Sequence, residues 1–260
     1  MAAATFARRA ARLRIILATC AAFLGCTTLA QGQDRKPPPK LHSYAGIQGL
    51  LAIGVHSDIA GRQYGIGGGP LLQFLYVPSR RLAVHIEGIP VVSIPRQKAS
   101  AFYGQATPAL GIFIASARFA FDPRSRYWGG IGTTIINQRT PLPNIGQVAS
   151  SRLAGVRYEL FMHQPLRGNR FLQAQAAVTP SLFGADHFFY SDGVTPAVDK
   201  PERAAEEDFS VAYGVQHANS EWLVGLRSLN FSAVFTKTGL AADRNNGAGI
   251  ILEWRRYLSR

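Results

Sequence analysis

A histidine beside a carboxylate is the simplest acid–base pair a chain can build, since imidazole titrates near neutral pH and a carboxylate can orient its ring. The sequence offers two such neighbourhoods: His56 with Asp58, and Asp186-His187 with Asp192. His56-Ser57 adds an adjacent hydroxyl, which would need a third, acidic group to become a nucleophile. Local spacing does not require any of these groups to meet in space. The six histidines (42, 56, 85, 163, 187 and 217) fall on separate segments, so no metal ligand set and no cofactor is expected. Gly65-Ile66-Gly67-Gly68-Gly69 has neither a following helix nor a closing Lys, which excludes a phosphate-cradling loop.

A second set of polar residues sits inside otherwise apolar runs, at intervals of two. His85 and Glu87, Arg118, Arg157 and Glu159, Arg227, and Glu253 and Arg255 all have this placement, as does His163. The runs that carry them alternate strictly. Leu82, Val84, Ile86 and Gly88 face away from His85 and Glu87; Val156, Tyr158 and Leu160 face away from Arg157 and Glu159; Ile250, Leu252 and Trp254 face away from Glu253 and Arg255. A period of two is that of a β-strand with one apolar and one polar face.

Ten such strands are read, over residues 43–56, 64–77, 82–94, 106–121, 126–139, 151–163, 170–184, 207–218, 221–236 and 246–258, with eight strands the nearest alternative. Their connections alternate short and long, the longest spanning 185–206. That alternation predicts a closed up-and-down antiparallel barrel, all-β, with turns at one rim and loops at the other. The strands are long enough to cross a bilayer at a tilt, and only a closed barrel satisfies their backbone amides in hydrocarbon. The apolar faces then point outward, and the polar residues named above form a network inside a lumen too narrow for an open porin channel. Tyr44, Tyr76, Phe119, Tyr127, Trp128, Trp222, Trp254 and Tyr257 lie near the short-turn ends and are read as an interfacial girdle. The acids Asp199, Glu202, Glu206, Glu207 and Asp208 are read as an acidic long loop, and Arg80, Arg81, Arg124, Arg126, Arg167 and Arg170 as basic short turns.

Composition agrees. Charged residues are 17% of 260 and hydrophobic residues 47%, with 26 Gly and 15 Phe. The chain is neither disordered nor rich in helical apolar blocks. Residues 1–30 read as a signal peptide: Arg8, Arg9, Arg12 and Arg14 precede the apolar run Ile15–Leu24, and Thr28-Leu29-Ala30 offers a cleavage site. Residues 31–42 form a Pro-rich linker, leaving 43–260 as the barrel domain. Both cysteines, Cys20 and Cys26, fall in the leader, so the exported chain has no disulfide; Cys26 as an acylated first residue is a minor alternative. The net charge of +13 falls to +9 without the leader, and no basic stripe survives that would bind nucleic acid.

A leader, a Cys-free mature chain, an even strand count, alternating connections and the closing strand Ile250–Tyr257 together resemble a Gram-negative outer-membrane β-barrel protein. The closing strand departs from that pattern, because Leu258-Ser259-Arg260 follows its last aromatic residue. The resemblance implies long loops facing outward, both chain ends in the periplasm, and partnership with outer-membrane lipid, lipopolysaccharide and the barrel-insertion machinery. The first expectation is a non-enzymatic surface-loop scaffold or narrow, porin-like channel for a small solute, and the second a barrel enzyme at the loop rim, protease or lipid A hydrolase. A third, outside the resemblance, is a soluble exported barrel whose aromatic residues plug its ends and whose interior holds a lipophilic ligand.

Overall fold

The computed structural model describes residues 41–58, 61–95, 109–189, 196–234 and 243–258. The leader and the linker up to residue 40, with Cys20 and Cys26, lie outside the described residues, as does Asp192. The chain forms strands β1 (Tyr44–Asp58), β2 (Gly61–Ser79), β3 (Leu82–Pro95), β4 (Ala109–Ala120), β5 (Tyr127–Leu142), β6 (Gln147–Pro165), β7 (Arg170–Thr179), β8 (Leu182–Phe189), β9 (Pro196–Asp199), β10 (Arg203–Gln216), β11 (Ser220–Val234) and β12 (Asp243–Tyr257). Every pairing is antiparallel. β1 to β7 and β10 to β12 close a ring of ten strands, sealed by β12 on β1.

The register fixes the size of this ring. From Tyr76 on β2, successive partners are Val84, Ala117, Ile131, Tyr158, Val178, Glu207, Asn230, Asn246 and Val55, and the path returns to β2 at Tyr64, twelve residues from where it began. Ten strands with a shear of twelve tilt by about 40° and hold the backbone about 10 Å from the axis. Each residue then climbs about 2.5 Å along the axis.

Alternation sorts the side chains as the pleat requires. Leu51, Leu72 and Ile53 are 63, 66 and 75% exposed on the outer wall, whereas Gln48, Glu87, Arg157 and Glu253 are buried inside. Outward apolar residues run from the level of Phe119 and Trp222 up to that of Ile53, a band roughly 23 Å tall, close to what an outer-membrane barrel presents to hydrocarbon. Above it the outer surface is mixed, with Asn137, Arg139 and Arg152 exposed alongside Val148 and Phe183.

The segment read as one strand over 170–184 is two. Pro180 has no amide to give to a ladder, and β7 stops before it. The chain then passes over Gly155, where a Cβ would lie 2.2 Å from the Ser181 carbonyl oxygen. β8 resumes on the upper half of β6, whose Ser150–Gly155 it pairs, and takes β9 as its other neighbour. The long connection expected over 185–206 therefore contains most of β8, all of β9 and the start of β10.

Candidate functional site: a filled lumen

Inward residues of all ten barrel strands meet in one connected polar network. At the short-turn end Arg255 pairs with Glu253 and Glu221, and donates to the Gln173 carbonyl oxygen at 2.7 Å. Gln48 donates to Glu253 at 2.8 Å and accepts from Arg227 at 3.3 Å. Arg227 binds Asp208 through Nε and Nη2, at 3.0 and 2.7 Å, and reaches Glu87. Arg157 donates to Asp208 and Glu206, each at 2.7 Å, and lies 3.5 Å from Glu159. Glu159 accepts from Arg118 at 2.6 Å and from the Ser116 hydroxyl at 2.6 Å. Arg118 Nη2 also lies 2.9 Å from His85 Nδ1. A guanidinium only donates, so that ring nitrogen carries the lone pair; the remaining proton sits on Nε2, facing Glu87 at 3.6 Å, and His85 is neutral.

Small residues in the wall make room for these groups. A Cβ on Gly130 would lie 2.5 Å from Glu159 Cγ, and one on Gly214 would lie 2.2 Å from the Phe171 ring. Apolar layers close the network at both ends. Towards the turns, Tyr44, Leu75, Ala83, Trp128 and Phe161 pack together, with Arg255 over the Tyr44 ring and Arg118 over that of Phe161. Towards the loops, Leu71, Ile112, Ile114, Leu153, Leu229 and Phe231 belong to one buried cluster. The cavity between Gln48, Gln73, Arg118, Gln175 and Arg227 is about 10 Å³, room for about one water molecule.

All eight residues read as a lumen network, His85, Glu87, Arg118, Arg157, Glu159, Arg227, Glu253 and Arg255, are buried in this interior. Glu206, Asp208 and Glu221 belong to it too. The first two were read as loop, yet they open β10, and their spacing of two puts both on its inner face opposite arginines that lack enough partners without them. The girdle needs a correction. Tyr76, Phe119, Tyr127, Trp222 and Trp254 take outward positions, but Tyr44, Trp128 and Tyr257 point inward. Trp128 is wholly buried, donating from Nε1 to the Ser125 carbonyl at 2.9 Å, and the Tyr257 hydroxyl donates to Glu221 at 2.9 Å. A position near the short-turn end does not fix a residue's face: Tyr127 and Trp128 are consecutive and must point to opposite sides.

At the loop rim the same alternation separates Asp186 from His187. Asp186 turns inward, accepts from the Ser151 hydroxyl at 2.7 Å and faces Asp199 across the β8–β9 register, while His187 is exposed. His56 and Asp58 end β1, with side chains outside the described residues. Among the described residues no group of three or more His, Cys, Asp or Glu is placed to hold a metal ion.

The outer-membrane protease OmpT of Escherichia coli superposes with a TM-score of 0.54 at 10% identity, over 86% of this chain and 99% of that one. The β domain of the Bordetella autotransporter BrkA gives 0.41 at 13% identity, over 83% and 100%, and the Ralstonia pickettii toluene transporter TbuX gives 0.36 at 8%, over 85% and 90%. No protein-family model matches the chain, and no curated protein matches it. At these identities the likeness is one of fold: a closed antiparallel β-barrel, the architecture of the outer-membrane protease.

Proposed function

We propose that this Gram-negative outer-membrane β-barrel serves as a sealed, non-enzymatic scaffold that holds its loops above the membrane, rather than as a channel or a hydrolase. The filling of the lumen carries this reading. Among the described residues, an apolar layer at each end and an ion-paired network between them enclose a cavity with room for about one water. A permeating solute would have to displace buried guanidinium–carboxylate pairs, whose separation leaves uncompensated charge. Among the described residues of the rim, Asp186 and His187 are directed to opposite faces and do not form an acid–base pair with each other.

The test is electrical. Purified, heat-modifiable barrel inserted in planar bilayers is expected to give no discrete conductance steps. Removing the loop-side layer in Ile114→Ala/Phe231→Ala is expected to leave the barrel closed, because the network beneath it remains. Steady ohmic steps from the unaltered protein would establish a channel and defeat the scaffold reading.

A further inference from the structure

Two neighbouring turns at the short-turn rim carry four arginines: Arg80 and Arg81 between β2 and β3, Arg124 and Arg126 between β4 and β5. The turns are tied together. The Ser125 hydroxyl donates to the Arg80 carbonyl at 2.5 Å, and the Ala120 amide donates to the Arg81 carbonyl at 3.0 Å. The guanidinium groups therefore rise from one platform. Asp122 is the acid of this patch, and its carboxylate accepts from the amides of Arg124 (3.1 Å), Arg126 (2.6 Å) and Tyr127 (2.8 Å) and from Arg126 Nε (3.3 Å). With Asp122 set against Arg126, Arg80, Arg81 and Arg124 remain, all exposed.

On the outer wall next to them, Tyr76, Phe119 and Phe121 are 51, 54 and 68% exposed. Phe119 is the register partner of Leu82, the residue after Arg81, and Phe121 stacks on Tyr127 with ring centroids 6.2 Å apart. A rigid cation cluster thus borders an aromatic surface at the edge of the apolar band. Such a surface suits an amphiphile with an anionic head and hydrocarbon chains.

We propose that this patch binds an anionic phospholipid, with its phosphodiester held by Arg80, Arg81 and Arg124 and its chains lying against Tyr76, Phe119 and Phe121. A zwitterionic lipid brings an ammonium to the same three arginines and is disfavoured there. The β6–β7 turn also carries two arginines, Arg167 and Arg170, but its aromatic neighbour Phe171 points into the lumen. It serves as the internal control. The inference is independent of whether the lumen conducts.

The full chain would be refolded into phosphatidylcholine nanodiscs doped with a minor fraction of phosphatidylglycerol, and lipid retention read by native mass spectrometry. An arginine near an anionic surface changes binding about fivefold. Arg80→Gln/Arg81→Gln/Arg124→Gln is therefore expected to lower phosphatidylglycerol retention roughly tenfold or more, and Arg167→Gln/Arg170→Gln to leave it within about twofold. Should the triple variant fail to refold, Arg80→Gln and Arg124→Gln singly are each expected to give a loss of about fivefold. Equal loss in the control, or no preference over phosphatidylcholine in the unaltered protein, would overturn the site. A parallel arm doped with lipid A separates the two phosphate sources: stronger retention of lipid A than of phosphatidylglycerol would also overturn it.

Discussion

Arg157 is the most informative residue to remove. It is fully buried at the centre of the lumen, and its guanidinium serves Glu206, Asp208 and Glu159 at 2.7, 2.7 and 3.5 Å. Within the connected network, arginines 118, 157, 227 and 255 supply four positive charges, against six negative charges on Glu87, Glu159, Glu206, Asp208, Glu221 and Glu253. With His85 neutral the formal balance is −2. Arg157→Gln moves it to −3, and Glu206→Gln moves it to −1. Taking one partner from a buried ion pair costs about 3–5 kcal/mol, so Arg157→Gln should shift the folded-to-unfolded ratio by roughly two to three and a half orders of magnitude, at about 1.4 kcal/mol per tenfold. Glu206→Gln keeps an acceptor oxygen for Arg157, replaces the oxygen that accepts from the Thr179 hydroxyl at 2.7 Å by an amide NH2 that can donate to that hydroxyl instead, and relieves a carboxylate excess. Its expected cost is on the order of 1 kcal/mol. Urea titration of the barrel in phosphatidylcholine vesicles, followed by heat-modifiable gel mobility, measures both. Costs within about 0.5 kcal/mol of each other, or an Arg157→Gln cost below about 1 kcal/mol, would refute the claim that charge balance organises this interior.

The three tryptophans give a direct reading of face: brominated acyl chains should quench Trp222 and Trp254, whereas the Trp222→Phe/Trp254→Phe variant, left with Trp128, should be nearly unquenched. Trp128→Ala should cost about 3–5 kcal/mol in the same urea titration, through the lost buried ring and its bond to Ser125. Gly130→Val should destabilise by at least about 2 kcal/mol, because its side chain enters the space held by Glu159. Burial alone would raise the Asp122 carboxyl, but amides of Tyr127, Arg126 and Arg124 and the Arg126 side chain hold it below the ordinary aspartate value. A depressed folded value contributes stability above the unfolded pKa that is lost as pH falls through the folded one. Unfolding midpoints measured downward from about pH 5 should therefore show an acid-side slope that Asp122→Asn reduces.

Much of this architecture is legible in the chain because lipid and lumen impose opposite demands on neighbouring residues. Ile47, Leu51 and Ile53 against Gln48, or Val156 and Tyr158 against Arg157, identify a strand and its faces at once. Two features escape for physical reasons. The inner wall is not polar throughout; over Leu110-Gly111-Ile112-Phe113-Ile114 both faces are apolar, and a period of two carries no signal of which side packs inward. The other is the acidic pair Glu206 and Asp208. Read locally they are two more charges in a polar stretch, and only the barrel closure that brings Arg157 and Arg227 from other strands to within 2.7–3.0 Å identifies them as counter-ions. Tyr44 and Trp128 could have been placed, since strict alternation from Gln48 and Thr134 turns both inward.

The loop-side apolar layer of Leu71, Ile112, Leu153 and Phe231 has a further consequence. It separates the ion pairs below it from the rim of the long connections. Residues beyond that layer can be exchanged, lengthened or grafted without disturbing the interactions that keep the barrel shut. Change in the loops and constancy of the interior are then compatible in one chain.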